Sequence, residues 1–166
     1  MNIEGRWTIR IETLDTEPDS GTTANVFLTI YGKNRATAAL PLNLPSNMNS
    51  NPQHIQPFQA GQIDEFEVKI YFVEKNILFP FTIIQVTSGY VGDIIKIRIN
   101  HDNHGDHPDW LVGSVQMENK DTHELLVFTF NRWFSFTKDN HEIARELPAI
   151  HESGFILPGM FSLNNI

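Results

Sequence analysis

Apolar residues recur at every second position in segment after segment of this 166-residue chain. The alternating segments centre on residues 7–11, 26–30, 65–72, 95–99, 111–117 and 126–130. A period of two places successive side chains on opposite faces of a strand, so each segment predicts a strand with one buried face. Residues typical of turns separate the segments, as at 18–21 and 119–121. Many short strands with such turns predict an all-β fold, a two-sheet antiparallel β-sandwich.

The composition supports a packed domain and restricts its partners. Apolar residues make up 40% of the chain, and the formal net charge is −8. This charge excludes nucleic acid as an expected partner, because phosphate binding requires clustered Lys and Arg. It also weakens attraction to anionic lipid. No segment reaches the ~18 apolar residues of a transmembrane helix. With no cysteine and no secretory signal at the start, we expect an intracellular protein, either cytoplasmic or membrane-peripheral.

Two segments depart from the regular strand pattern. Residues 71–91 are nearly all apolar or β-branched and predict an extra hairpin or extended edge strand inserted in the sandwich. Residues 149–166 lose the alternation and predict a C-terminal tail or docking segment after a sandwich domain that spans residues 1–148. An apolar edge segment can recruit a strand or groove of a partner protein. The candidate partner-binding residues in the insertion are Ile77, Leu78, Phe79 and Phe81.

The loop that ends residues 97–110 is the segment with the most metal-binding side chains. It holds three aspartates and three histidines before Trp110. Carboxylate oxygens suit calcium, whereas imidazole nitrogens suit zinc or copper. His101, His104 and His107 are three residues apart, but on a path from strand to loop this spacing does not force them to converge. The alternative is a solvated turn in which Asp, Asn and Gly serve backbone geometry alone.

Five segments in order resemble the PLAT, or lipoxygenase-homology, domain family. They are Gly-Thr-Thr-Ala-Asn-Val-Phe-Leu at 21–28, Phe-Gln-Ala-Gly-Gln-Ile-Asp-Glu-Phe at 58–66, the strand and loop at 97–110, Phe-Asn-Arg-Trp at 130–133 and Arg-Glu-Leu at 145–147. The resemblance covers roughly residues 5–148. It implies an eight-stranded sandwich that is not enzymatic by itself and that binds calcium, lipid surfaces or protein partners.

The resemblance also implies where calcium would bind. In calcium-binding relatives, one loop supplies backbone oxygens and an Asp, and the other supplies a backbone oxygen and the Asp before Trp. By position, Gly21 begins the first loop, and Asp106 and Asp109 belong to the second. Thr23 stands where the family has its first-loop Asp, so we expect calcium binding to be weak or lost. Side chains that would compensate are Asp19, Asp102 and Asp106.

Two further positions take their expected roles from the family pattern. His101 belongs to that pattern, which implies a framework role rather than a ligand role. Lipid-binding relatives carry exposed aromatic residues on the loop tips, but the tips at 17–20 and 104–107 have none. Trp133 is the candidate lipid-binding residue, and the alternative is that it packs within the Arg132–Trp133 corner.

No catalytic constellation is evident. Ser114 follows Gly113 but lacks a G-x-S-x-G elbow, and the chain has neither a P-loop nor a G-x-G-x-x-G motif. We therefore expect a non-catalytic module that mediates protein–protein contacts in a complex. The alternatives are a calcium-dependent lipid- or membrane-binding module and a regulatory domain or subunit of a lipase-like enzyme.

Overall fold

The computed structural model describes residues 2–42, 56–72, 85–87 and 91–151. Ten β-strands occur in this part of the chain: β1 Asn2–Thr13, β2 Val26–Gly32, β3 Leu40–Pro41, β4 Ile63–Phe72, β5 Gln85–Thr87, β6 Ile94–His101, β7 Trp110–Asn119, β8 Leu125–Phe134, β9 Ala144–Pro148 and β10 Ile150–His151. Within these ranges there is no helix that is long and apolar enough to cross a membrane.

The strands form two sheets that pack as a sandwich. One sheet has the order β10-β8-β7-β1-β4-β5, and the other has the order β3-β2-β6-β9. The predicted all-β sandwich is confirmed. Ten strands are described where eight were expected, and three of them, β3, β5 and β10, are pairings of only two or three residues. Among the described pairs, β4 with β5 alone is parallel.

The core lies between the sheets and follows the alternation of the sequence. In β2, for example, Val26, Leu28 and Ile30 are fully buried while the residues between them are partly exposed. Each such side chain contributes about 1.5–3 kcal/mol by leaving water. Trp110 is fully buried at the start of β7 and packs against the rings of Phe58 and Phe134, with centroid distances of 5.0 and 5.8 Å.

The two segments that depart from the pattern are described only in part. Gln85–Thr87 of the predicted insertion forms edge strand β5 beside β4. The candidate contact residues Ile77, Leu78, Phe79 and Phe81 lie outside the described residues. At the other end of the chain, the sandwich continues past residue 148, because Ile150 and His151 pair with Val127 and Leu126 of β8. The remaining residues of the predicted tail, 152–166, also lie outside the described ranges.

Antiparallel pairing brings several loops to one end of the sandwich. Val26 at the start of β2 pairs with His101 at the end of β6. Trp110 at the start of β7 is the partner of Phe134 at the end of β8. The end of β1 pairs with the start of β4, and the end of β6 with the start of β9. The loops at 14–25, 102–109 and 135–143 therefore meet, and we call them together the loop cluster.

Candidate functional site in the loop cluster

Two adjacent threonines join the first two loops of the cluster. The Thr23 backbone N–H donates to the carbonyl oxygen of His107 at 2.9 Å, and the His107 N–H donates to Thr23 Oγ1 at 3.1 Å. Beside them, Thr22 Oγ1 donates to the carbonyl oxygen of Pro108 at 2.9 Å. Thr23, at the family's Asp position, therefore uses its hydroxyl to hold the second loop. The backbone oxygens of His107 and Pro108 are already hydrogen-bond acceptors in this arrangement.

Glycines allow the loops to approach each other closely. A Cβ on Gly21 would lie 2.9 Å from the carbonyl oxygen of Phe58, so this position serves backbone packing. Gly105 has a φ of 91°, a backbone conformation that residues with a side chain rarely adopt. A Cβ there would lie 2.3 Å from Thr23 Oγ1. Gly105 thus fixes both the turn of the second loop and its contact with the first.

Asp102 braces the start of the second loop. Its carboxylate accepts hydrogen bonds from Asn25 Nδ2 at 2.6 Å and from the backbone N–H groups of Asn25 and His104, both at 3.0 Å. Partial desolvation opposes ionisation, but these hydrogen bonds outweigh it and lower the pKa of Asp102. This predicted compensating ligand is therefore committed to holding the first two loops together.

Asp109 is likewise occupied by protein groups, in this case from the third loop. Thr137 Oγ1 donates to Asp109 Oδ2 at 3.2 Å, and Lys138 Nζ lies 4.0 Å from the same oxygen. The Lys138 ammonium also lies 3.4 Å from the ring centroid of Trp133. A cation of the protein itself thus stands next to the carboxylate that the family resemblance assigns to calcium.

Trp133 is a packed framework residue in this conformation. It is 4% exposed, its ring is covered by Lys138, and its backbone N–H donates to Asp139 Oδ2 at 2.8 Å. The side chain presents almost no surface to a lipid. This position agrees with the alternative reading, in which Trp133 packs within its corner, and not with a residue at an exposed loop tip.

The predicted calcium ligands share one end of the sandwich but do not assemble a site. Asp19 and Asp106 are exposed, and Asp19 has a left-handed φ of 57°. Among the described residues, no three His, Asp or Glu side chains are grouped so that they could hold a metal. Asp102 and Asp109 have protein partners, and Lys138 places a positive charge where calcium would need negative charge. In this conformation the donor set does not fit calcium.

His101 has a structural role that uses both of its ring nitrogens. It is 1% exposed, and Nδ1 accepts a hydrogen bond from the Asn103 backbone N–H at 3.1 Å. Nε2 therefore carries the proton and donates to the Phe134 carbonyl oxygen at 2.9 Å. Burial lowers the pKa of His101, although the Phe134 bond and nearby aspartates oppose the shift. No ring nitrogen of His101 is free for zinc or copper, while His104 and His107 are exposed.

Sequence reasoning missed the contribution of the third loop. Lys138 and Thr137 hold Asp109, and Phe136 is 54% exposed beside them. Phe136 continues the alternation of Phe130 and Phe134. The sequence pattern therefore does not show that β8 ends at residue 134. Lys138 carried a detectable signal, because it is a cation close to the Phe-Asn-Arg-Trp segment. Its pairing with Asp109, however, depends on the fold.

The sandwich and its loop cluster are those of a PLAT-type domain. The PLAT/LH2 domain profile matches residues 7–147, and the chain belongs to this family. PLAT domains act as modules that bind proteins or lipids, so the coarse expectation of an interaction module is confirmed.

Curated relatives are much longer than this chain. Mouse lipoxygenase homology domain-containing protein 1 is 30% identical over 139 residues, which cover 84% of this chain and 6% of the relative. The mouse polycystin family receptor for egg jelly is 27% identical over 116 residues, covering 70% of this chain and 4% of the receptor. The chain therefore corresponds to a small part of each relative.

Solved structures show the same fold. Coral 8R-lipoxygenase, described as activated by calcium through a C2-like domain, aligns with a TM-score of 0.56 at 21% identity. The alignment covers 88% of this chain and 17% of the lipoxygenase. Alpha toxin from Clostridium absonum aligns with a TM-score of 0.50 at 20% identity, covering 78% of this chain and 28% of the toxin. At these identities the likeness supports the sandwich alone.

Proposed function

We propose that this PLAT domain is a non-catalytic module that binds a protein partner and does so without calcium. The observation that carries the proposal is the position of Lys138. Its ammonium lies 4.0 Å from Asp109 Oδ2 and 3.4 Å from the Trp133 ring centroid, so one cationic side chain lies beside the calcium-loop carboxylate and covers the candidate lipid-binding aromatic. Both groups that would support calcium-dependent lipid attachment are thus used within the domain.

The charge of the loop cluster also favours a protein partner over a lipid surface. The exposed tips carry Glu17, Asp19 and Asp106, and the whole chain has a formal net charge of −8. Anionic headgroups repel such a surface unless a cation bridges the two. The insertion residues Ile77, Leu78, Phe79 and Phe81 stay candidate contacts for the partner, on the basis of the sequence alone.

Affinity capture with and without calcium tests the proposal. The immobilised domain is incubated with a lysate from its source organism, in calcium and in chelator, and each retained protein is then purified and titrated against the domain. We expect one partner to bind with the same affinity in both buffers. Loss of all direct binding in chelator would contradict the proposal. A lipase-like hydrolase as the direct partner would identify the domain as a regulatory subunit.

Phe136 favours a second candidate function, attachment to lipid. It is 54% exposed in the third loop, next to the threonine and lysine that hold Asp109. An exposed aromatic ring at a loop tip can enter a membrane interface. Sedimentation with phosphatidylserine–phosphatidylcholine vesicles, with and without calcium, tests this alternative. Pelleting that is lost in Phe136→Ala would support lipid attachment. The matched control is Ile150→Ala, because Ile150 is 63% exposed and pairs with Val127, away from the loop cluster.

A further inference from the structure

Almost all of the net charge of the chain belongs to the loop cluster. Its three loops, 14–25, 102–109 and 135–143, hold eight Asp and Glu residues and a single Lys, a formal charge of −7. The whole chain has a formal net charge of −8, so the other segments together are close to neutral. At the adjoining strand ends two arginines and two carboxylates cancel, namely Arg132, Arg145, Glu12 and Asp64. One end of the sandwich is therefore strongly acidic.

Half of the eight carboxylates have no cation beside them. The protein itself engages Asp102, Asp109, Asp139 and Glu142. The other four are exposed and form no ion pair with any described residue, and we call them the free carboxylates: Asp15, Glu17, Asp19 and Asp106. All four belong to the first two loops, which contain no Lys or Arg. The negative charge of these two loops is thus not compensated from within them.

An exposed aromatic ring lies beside this acidic surface. The contacts described above join the first loop to the second and the second to the third. Asp106 lies one residue before the first of these contacts, and Phe136 lies one residue before the second. Phe136 is 54% exposed, and its carbonyl oxygen accepts a hydrogen bond from His141 Nδ1 at 2.9 Å, which fixes its backbone. The acidic end therefore also offers an apolar contact.

The negative charge is spread over the surface and does not converge on one point. Among the described residues, no three His, Asp or Glu side chains are grouped so that they could hold a metal. A single calcium ion needs about six to eight oxygens around it, which separated carboxylates do not supply. Several cations on one extended segment can instead each meet a different carboxylate. The arrangement therefore suits a ligand with several separate positive charges.

Lys138 shows which kind of cation the loop cluster accepts. Its ammonium lies 3.4 Å from the Trp133 ring centroid and 4.0 Å from Asp109 Oδ2. One lysine thus uses an aromatic face and a carboxylate together, and both attract its charge. Phe136 and the free carboxylates offer the same two kinds of group, and no described Lys or Arg occupies them.

We infer that the loop cluster binds a Lys- or Arg-rich segment of the protein partner. The cations of the segment pair with the free carboxylates, and one of them stacks on the Phe136 ring as Lys138 does on Trp133. The acidic end repels both a second copy of this chain and anionic lipid, so a basic protein segment is the expected occupant. This inference rests on the proposed function, since it names the chemistry of the partner.

NMR titration of the ¹⁵N-labelled domain tests the inference. The probe is a capped peptide that alternates lysine with serine, and the control probe has glutamine in place of lysine. We expect only the lysine peptide to shift the amide signals of residues 15–20, 104–107 and 135–138. Added salt should weaken this binding, because exposed ion pairs are screened.

Substitutions that keep the shape of the side chain separate the free carboxylates from the total charge. Asp106→Asn should weaken binding of the lysine peptide about threefold, and the addition of Asp19→Asn should bring the loss to about tenfold, because each exposed ion pair is weak. Asn tolerates the left-handed φ of 57° at position 19. Phe136→Ala should weaken binding about threefold. The matched control Glu67→Gln removes an exposed carboxylate from the middle of β4 and should leave binding unchanged.

Three results would overturn the inference: equal binding of both peptides, shifts located outside the loop cluster, or the same loss in Glu67→Gln as in Asp106→Asn. A partner found by affinity capture separates this failure from that of the proposed function. If the double Asp19→Asn, Asp106→Asn variant binds that partner with native affinity, the loop assignment is wrong while the protein-binding function stands. If the native domain binds no protein and anionic vesicles pellet the double variant more strongly than the native domain, the loops serve lipid attachment and both proposals fail.

Discussion

His101 is a buried base whose two ring nitrogens both have fixed partners. Asn103 donates to Nδ1, and Nε2 donates to the Phe134 carbonyl, so protonation would place a donor against a donor. The residue joins the end of β6, the second loop and the end of β8. At the scale of single residues, therefore, His101 resembles a metal ligand in the sequence but is a framework residue in the fold.

The lowered pKa of His101 predicts a pH-dependent stability. In the unfolded chain, His101 takes up a proton near its ordinary pKa of 6.5, whereas in the folded protein it does so only at lower pH. The stabilisation is complete above that ordinary value and is lost as the pH falls from it toward the folded pKa. Urea unfolding at several pH values should show a falling free energy of unfolding, and the fall should be shallower in His101→Gln. An equal fall in that variant would assign the effect to other groups.

Lys138 predicts a second result at the residue scale. Calorimetry of calcium into chelator-stripped protein should show no saturable heat, because the lysine ammonium competes for Asp109. Lys138→Ala removes this charge and should produce weak saturable binding that disappears again when Asp109→Ala is added. Lys120→Ala, which removes an exposed lysine in the β7–β8 turn, is the matched control.

Saturable calcium heat in the native domain that is lost in Asp109→Ala would contradict this account. It would show that Asp109 binds calcium despite Lys138. The same lysine variants should also differ in stability. Lys138→Ala loses a cation–π contact with Trp133, which is worth about 0.5–2 kcal/mol, and should melt below Lys120→Ala.

At the scale of elements, the contact between the first two loops depends on Gly105. Alanine there would have to adopt a φ of 91° and would place its Cβ 2.3 Å from Thr23 Oγ1. Gly105→Ala should therefore lower the free energy of unfolding by roughly 1–3 kcal/mol. Chemical denaturation measures the difference, with exposed His104→Ala as the neighbouring control. An unchanged midpoint would mean that the loop can take another conformation at no cost.

Alternation predicted the long strands because each has one face in the core. It did not predict β9, in which exposed and partly exposed residues follow one another without a fully buried face. The two- and three-residue strands β3, β5 and β10 are too short for any period to show. Parallel pairing of β5 was also beyond the pattern, since alternation does not specify the direction of a neighbour.

The sequence predicted where the candidate site lies but not which of its groups are free to bind a ligand. The motifs located the loops, and antiparallel pairing brought them to one end. Which oxygens remain free depends on hydrogen bonds across sequence distances, such as Thr137 to Asp109 and Thr22 to Pro108.

At the scale of the whole molecule, the two sheets share one core, so we expect the domain to unfold in one cooperative transition. The three tryptophans Trp7, Trp110 and Trp133 are 7, 0 and 4% exposed, and they lie on different strands. Their fluorescence should be that of buried indole and should shift to longer wavelength in a single unfolding transition. Far-UV circular dichroism should give the same midpoint. Separate midpoints would show that the two sheets, or the loop cluster, unfold independently.

Residues 144–151 pair with both sheets, first as β9 along β6 and then as β10 along β8. At the crossing, the Ala149 N–H donates to the carbonyl oxygen of Ile95 at 2.8 Å. A tensile load applied at residue 151 would consequently reach main-chain hydrogen bonds in both layers. The segment therefore links the two layers, and the load would act first on the pairing of β10 with β8 and then on the pairing of β9 with β6.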